Sequence, residues 1–167
     1  AIAVSKGPGS YTGLRIGVSF AKGLCYALNK PLIAIETLLI NAHNLKLNHK
    51  TDDNALICPM TDARRMEVYT ALFDNDLNEL KQTQALILDS NSFSDIRQKI
   101  YFVGSGLVKW KELVSQNRNE YFTFIDNVFP MADAMALLSY KAFKENKFED
   151  IAYFEPFYLK EFIAGTS

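Results

Sequence analysis

Histidine, cysteine and tryptophan are scarce in this chain: two, two and one among 167 residues. Cys25 and Cys58 are too few for a disulfide scaffold. Both sit in apolar runs, so buried free thiols in a reducing compartment are expected. His43 and His49 lie six apart, and neither a His-Glu-x-x-His nor a Cys-x-x-Cys pattern occurs, so no metal-ligand set is legible. A surplus of charge is also lacking. A net charge of −1 gives no chain-wide grip on nucleic acid or anionic lipid. No apolar run approaches the ~18 residues of a spanning helix. The start, Ala-Ile-Ala-Val, shows neither a basic segment nor a cleavage pattern. A cytoplasmic protein without a membrane partner is expected. Acids are missing before Glu36, while Lys6, Arg15, Lys22 and Lys30 precede it. Such a stretch suits an acidic partner or a phosphate, and equally four solvated side chains.

Core material, by contrast, is plentiful. Twelve Phe and eight Tyr, with 49% hydrophobic and 22% charged residues, exclude disordered, collagen-like and coiled-coil classes. The pattern predicts a strand over 2–5, a glycine-rich loop over 7–13 and a helix over 14–28. In that helix Leu14, Val18, Ala21, Leu24, Cys25 and Leu28 recur at helical spacing. Pro31 follows its end. A strand over 32–35 and a helix over 37–47 come next, then a polar loop over 49–54. Strands are predicted over 55–60, 66–73, 84–88, 100–103 and 122–125. Helices are predicted over 90–98, opened by Ser and Asn caps, over 108–114 and over 132–145. The aromatic tail holds Tyr153, Phe154, Phe157, Tyr158 and Phe162.

Residues 55–145 thus spell three strands, a helix, then strand, helix, strand, helix. That is the order of a ribonuclease-H-like half-domain, and 1–48 spells the back end of the same pattern. The expected fold is α/β, a duplication of ribonuclease-H-like halves whose first half is incomplete. One subdomain is expected over 1–48 and the other, with the tail, over 55–167. A piece of a longer protein is expected, with the strand ending at Ser5 lacking one neighbour.

The loop Gly7-Pro8-Gly9-Ser10-Tyr11-Thr12-Gly13, between strand and helix, could face a phosphate with backbone amides. The P-loop ending is absent, because Thr12-Gly13-Leu14 stands where Gly-Lys-Ser/Thr is required. The dinucleotide pattern also fails, since three residues, not two, separate Gly9 and Gly13. The alternative is a tight turn capped by Ser10 or Thr12, and no tight nucleotide site in the isolated chain is expected. Gly13, Gly17 and Ala21 are four apart and form a bare stripe along the helix. It suits close approach of another helix, from the same fold or from a second subunit. With Leu14, Val18 and Cys25 it is the expected interface. Asp62 and Arg64, in the first hairpin turn, address a second-subdomain cleft or simply close a β-turn. Gly104-Ser105-Gly106 approaches a nucleoside or turns the chain. No Gly-x-Ser-x-Gly elbow is present.

Taken together these residues resemble the bacterial TsaB (YeaZ) family. The matching motifs are Gly-Pro-Gly-Ser-Tyr-Thr-Gly-Leu-Arg-Ile-Gly from Gly7, Ala-Lys-Gly-Leu at 21–24, Pro31-Leu32 and Glu36-Thr37-Leu38. Asp62-Ala63-Arg64 with Glu67-Val68-Tyr69, and Pro-Phe-Tyr-Leu-Lys at 156–160, complete the set. The resemblance implies an actin-like/sugar-kinase fold. It implies a non-catalytic subunit, with no catalytic residue and no metal of its own. Such a subunit supports threonylcarbamoyl transfer to the tRNA adenosine beside the anticodon. The implied partners are a second copy of the chain, the catalytic paralogue TsaD and the ATPase TsaE, with tRNA met only through the complex. No cofactor is implied for the isolated chain, and ATP or ADP would belong at the partner junction. After its proline-initiated strand the catalytic paralogue has Asn-His and a following Gly-His. Here that place reads Ile35-Glu36-Thr37-Leu38. An ATP-dependent actin-like transferase and a glycoprotease-type metallopeptidase are the competing classes.

Overall fold

A computed structural model describes residues 1–114 and 120–160; Phe162 of the aromatic tail lies outside them. The first half is β1 (Ile2–Gly7), α1 (Tyr11–Leu28), β2 (Leu32–Glu36) and α2 (Thr37–Asn48). The second is β3 (Leu56–Asp62), β4 (Glu67–Phe73), β5 (Glu79–Ile87), β6 (Ile100–Val103), α3 (Leu107–Val114), β7 (Phe122–Phe124) and α4 (Ala132–Lys144). β1 and β2 pair in parallel. The second sheet runs β5-β4-β3-β6-β7. Its β3–β4 and β4–β5 pairs are antiparallel, and β3–β6 and β6–β7 are parallel. A three-strand meander followed by two parallel crossover strands is the ribonuclease-H-like order expected from the sequence. Among the described residues β1 has a ladder on one edge only.

Alternation along the strands sends side chains to two separate cores. Cys58, Met60, Val68, Ile100 and Phe102 face Trp110 of α3. Ile57, Ala71, Phe73, Tyr101 and Val103 face Leu38, Ala42 and Leu45 of α2. On its other side α2 presents Ile40, which joins Ile33 and Ile35 of β2 and Ala134 and Ala142 of α4. Helix α2 is therefore packed between the two sheets, with α4 beside it against β2. His43 Nδ1, 2.6 Å from the Ala134 carbonyl, ties one to the other.

Pro59 sits inside the central strand β3, where a missing N–H should break a ladder. The β3–β4 register steps from Ile57↔Phe73 to Met60↔Thr70, leaving Pro59 out of it. The Thr70 hydroxyl donates to the Pro59 carbonyl at 2.9 Å, supplying a bond in that interval.

Three expectations need correction. The helix over 90–98 is a run of turns. Ser92, Ser94 and Ile96 N–H groups bond carbonyls three residues back, at Asp89, Asn91 and Phe93. The Asp89 carboxylate takes the Asn91 N–H and the Ser92 hydroxyl. Short polar side chains here compete with helical bonds. Phe93 adopts φ 63° and lays its ring 5.2 Å from Phe102 and 5.5 Å from Trp110. Second, β5 begins at Glu79, five residues before the expected start, because its polar front half is an edge with little to bury. Third, the tail does not stay with the second half. Glu149 bridges Leu32, Ile151 and Phe154 pack with Ala21 and Cys25, and Phe157 N–H donates to the Lys6 carbonyl at 2.7 Å.

Helix α1 starts earlier than periodicity suggested. Ser10 is its cap, accepting the Gly13 N–H at 3.3 Å, and Asn29 ends it in the left-handed region at φ 49°. Gly23 is exposed inside this helix, and an added Cβ would meet nothing within 4 Å. Gly23→Ala should therefore raise stability by about 0.5–1 kcal/mol, read as a higher urea midpoint with an unchanged m-value.

Candidate functional site: the cleft between the halves

The loop after β1 turns through Gly7, whose φ of 112° is in the left-handed region. A Cβ there would lie 2.8 Å from the Phe157 carbonyl oxygen. Glycine thus permits both the turn and the crossing of the tail. The Gly7–Pro8 peptide is cis. Pro8, Gly9, Ser10, Gly13 and Leu14 then form one wall of a cleft of about 230 Å³. Ser5, Thr37 and Asn41 also line it from the first half, and Thr61, Ser105 and Pro130 from the second. Of the expected loop residues, Gly9, Ser10 and Gly13 reach the cleft, while Gly7 and Thr12 are not in its lining.

Every lining side chain among the described residues is uncharged. The Ser5 and Thr37 hydroxyls share a 2.6 Å bond. Ser105 Oγ accepts the Asp62 N–H at 3.1 Å. Asn41, only 1% exposed, has a side-chain oxygen that is buried without a partner. An orphaned acceptor of this kind costs about 1–3 kcal/mol. The sequence reading missed Asn41 altogether. The available signal was a polar stripe, Thr37-Asn41-Asn44-Asn48, on a helix otherwise rich in Leu and Ile.

Asp62 and Arg64 do not line the cleft. The Asp62 carboxylate folds onto its own turn, accepting the Arg64 N–H at 2.7 Å, and pairs with Lys109 at 2.8 Å. Burial alone would push its carboxyl up. The Lys109 and Arg64 bonds outweigh that and hold it below the usual 3.8. The turn reading of these residues is the one realised.

The residues of the expected interface stripe divide between the inside and the outside of α1. Val18, Ala21 and Cys25 are buried. Ala21 and Cys25 pack with Leu32, Ile2 and Val4 of the chain's own sheet. Gly17 is half-buried, and its Cβ would stand 4.0 Å from Val4. Leu14 is half-buried and Gly13 exposed. The small residues let α1 lie close on its own two-stranded sheet. What α1 shows to the outside is Ile16, Phe20 and Tyr26, exposed by 66, 69 and 86%.

Both cysteines are free and buried, as expected. Burial pushes the Cys58 thiol up to about 12, despite Thr70 Oγ1 at 3.1 Å. Among the described residues no three His, Cys, Asp or Glu side chains converge, and no helix is long and apolar enough to cross a membrane.

The topology and the cleft between the halves define an actin-like protein of ribonuclease-H-like halves. The glycine loop on that cleft lacks the nucleotide-binding P-loop ending. Comparison with known proteins narrows this. The family model TsaD: tRNA N6-adenosine threonylcarbamoyltransferase matches residues 1–162. The Escherichia coli tRNA threonylcarbamoyladenosine biosynthesis protein TsaB is 30% identical over 98% of the chain and 72% of its own length. Its Bacillus subtilis counterpart is 46% identical over 48% of the chain and 33% of its own length. The solved structure of YeaZ from Pseudomonas aeruginosa superposes with a TM-score of 0.74 at 21% identity, covering 94% of this chain and 73% of that one. The chain belongs to the TsaB (YeaZ) family of tRNA threonylcarbamoyladenosine biosynthesis proteins.

Two outcomes follow from the geometry. Gly104, at φ 102°, leaves no room for a side chain, because a Cβ would stand 2.3 Å from the Met60 carbonyl oxygen and 2.6 Å from Asn41 Nδ2. Gly104→Ala should cost about 2 kcal/mol or more in equilibrium denaturation. The Asp62–Lys109 pair has a depressed carboxyl, so its contribution is present above 3.8 and disappears as pH falls through the lower folded value. Being half-exposed, it is worth at most about 1 kcal/mol. The urea midpoint of Lys109→Met should lie below that of the parent at neutral pH and meet it in strong acid.

Proposed function

We propose that this chain is the non-catalytic partner of a TsaD-type paralogue in threonylcarbamoyl transfer to the tRNA adenosine beside the anticodon. Docking uses the outward face of α1. The observation that carries the reading is this helix itself. Its inner face is spent on the fold, yet its outer face keeps Ile16, Phe20 and Tyr26 in solvent, around the bare position Gly23. A face of this kind marks a protein contact, and the glycine lets a second helix approach. The same face serves pairing with a second copy, so the two contacts compete. A TsaE-type ATPase joins the assembly, tRNA is met through it, and ATP or ADP belongs at the partner junction.

The non-catalytic part rests on 35–38. Glu36 pairs with Lys6 at 3.2 Å and accepts from Thr83, and Thr37 is tied to Ser5. Where the catalytic paralogue carries histidines, this chain has side chains engaged in holding its own elements together.

Phe20→Glu combined with Ile16→Ser replaces exposed side chains, so the fold should persist, with an unchanged thermal midpoint. Binding to a TsaD-type protein, measured by titration, should weaken at least a hundredfold, and threonylcarbamoyladenosine formation in the reconstituted system should fall with it. Unchanged affinity in the folded double variant would reject α1 as the contact.

A further inference from the structure

We infer that the surface α1 docks against is an apolar helical surface rimmed by carboxylates, and that ionic attraction, which self-pairing lacks, decides between that partner and a second copy. The inference rests on α1 being the docking face and adds the chemistry of what it meets.

Four cations and no acid stand between Ala1 and Ile35. Of the four, Lys6 is neutralised by Glu36 at 3.2 Å. The other ion pairs among the described residues join Lys99 to Asp52, Lys109 to Asp62, Lys111 to Asp126, Lys147 to Glu145 and Lys160 to Glu67. None takes Arg15, Lys22 or Lys30. Arg15 and Lys30 are exposed, and the Arg15 guanidinium lies over the Tyr11 ring, 5.3 Å from its centroid. Lys22 Nζ donates to the Ala152 and Phe154 carbonyls at 3.3 and 3.0 Å. Those bonds fix where the ammonium stands and leave its charge uncompensated.

Placement makes these charges a rim. Arg15 and Lys22 are seven residues, about two turns, apart and share one flank of α1. Lys30 directly follows the cap Asn29 at the other end. Between them lie Ile16, Phe20 and Tyr26, all exposed, and the bare Gly23. The acids packed nearest to α1 come from the tail. The Asp150 carboxylate is turned onto the Ala152 and Tyr153 N–H groups. Glu149 is half-buried where its strand bridges Leu32, and Glu155 is close enough to Tyr158 to disfavour its ionisation. None of them makes an ion pair with the three cations, and the face stays positive.

Apolar contact serves either occupant, but charge does not. Pairing of two copies through α1 is two-fold and sets the same patch against itself. Whatever its register, it brings two of each cation together. Like charges across an interface act against that partner, and opposite charges select for theirs. A helical surface with carboxylates around an apolar centre is the complement. Salt screens both effects, since the Debye length falls from ~10 Å at 0.1 M to ~3 Å at 1 M. The two contacts of α1 should therefore respond to salt in opposite directions.

The test titrates the whole chain with a TsaD-type protein at 50 and 500 mM sodium chloride, and follows the chain alone by sedimentation equilibrium at the same salts. Affinity for the partner should fall at least fivefold at high salt, while self-association should hold or strengthen. Arg15→Glu with Lys30→Glu changes two exposed side chains and should keep the thermal midpoint. It should weaken partner binding at least tenfold at low salt and flatten the salt response, and mixed with the parent chain it should pair more tightly than the parent does with itself. Should that variant not fold, Arg15→Gln with Lys30→Gln should weaken the partner at least threefold. Equal salt responses of the two contacts, or unchanged partner affinity in the folded charge variants, would overturn the inference. So would tRNA alone binding at low salt and being lost by the same variants, because the rim would then be reading phosphates. If Phe20→Glu with Ile16→Ser loses the partner while the charge variants keep it, the docking face stands and only its ionic selection fails. If that apolar variant keeps the partner, both fail.

Discussion

The burial of α2 is the constraint on which the molecule depends. One side of this helix packs Leu38, Ala42 and Leu45 against the five-stranded sheet. Another packs Ile40 against β2 and α4. Fully burying each of the larger side chains contributes about 1.5–3 kcal/mol. Enclosure on both sides leaves almost no solvent for Thr37, Asn41 and Asn44, which are all at most 9% exposed. Each therefore demands a partner inside the protein. Thr37 finds Ser5 at the end of β1, and Asn44 finds the Phe129 carbonyl just ahead of α4. Those two bonds set where the glycine loop and Pro130 stand relative to each other, so the cleft follows from how α2 is satisfied.

The tail closes the arrangement from the opposite end. After α4 the chain bridges to Leu32. Lys22 of α1 then reaches the Ala152 and Phe154 carbonyls at 3.3 and 3.0 Å. Tyr158 lies 4.9 Å from Tyr11 at the start of α1. The inner face and the N-terminus of α1 are thereby held by the chain itself. This divides the helix into two working surfaces. Small residues on the inside allow close packing on β1, and large apolar residues on the outside remain for a partner. The division explains why Gly17 and Gly23, on one helix, answer to different neighbours. The first looks at Val4 and the second at open space.

Local patterning carried much of the fold. Alternating apolar residues in β3, β4 and β6, the glycine loop between strand and helix, and the proline after α1 are readable because each reports a short-range preference. The three-strand meander followed by crossover units fixed the fold class for a similar reason, since the order of elements leaves few topologies open. What failed was long-range. Ser90–Gln98 has caps and helical composition, yet Phe93 is drawn into the aromatic cluster of Phe102 and Trp110, with a backbone turn that no helix accommodates. The front of β5 is polar, and only its pairing with β4 makes it a strand.

The site divides in the same way. The chain's sequence by itself determined the loop, the free buried thiols and the departure from the catalytic paralogue at 35–38, because these are properties of residue type and neighbouring spacing; that Ser10 rather than Thr12 caps α1 came from the structure. Only the tertiary structure decided which face of α1 is buried, since apolar residues occupy both faces and periodicity alone cannot say which one meets β1. It also decided that Asp62 closes a turn with Lys109, 47 positions away along the chain. And it singled out Asn41. A buried asparagine differs from its bonded neighbours only in what surrounds it, and those surroundings come from both halves of the molecule.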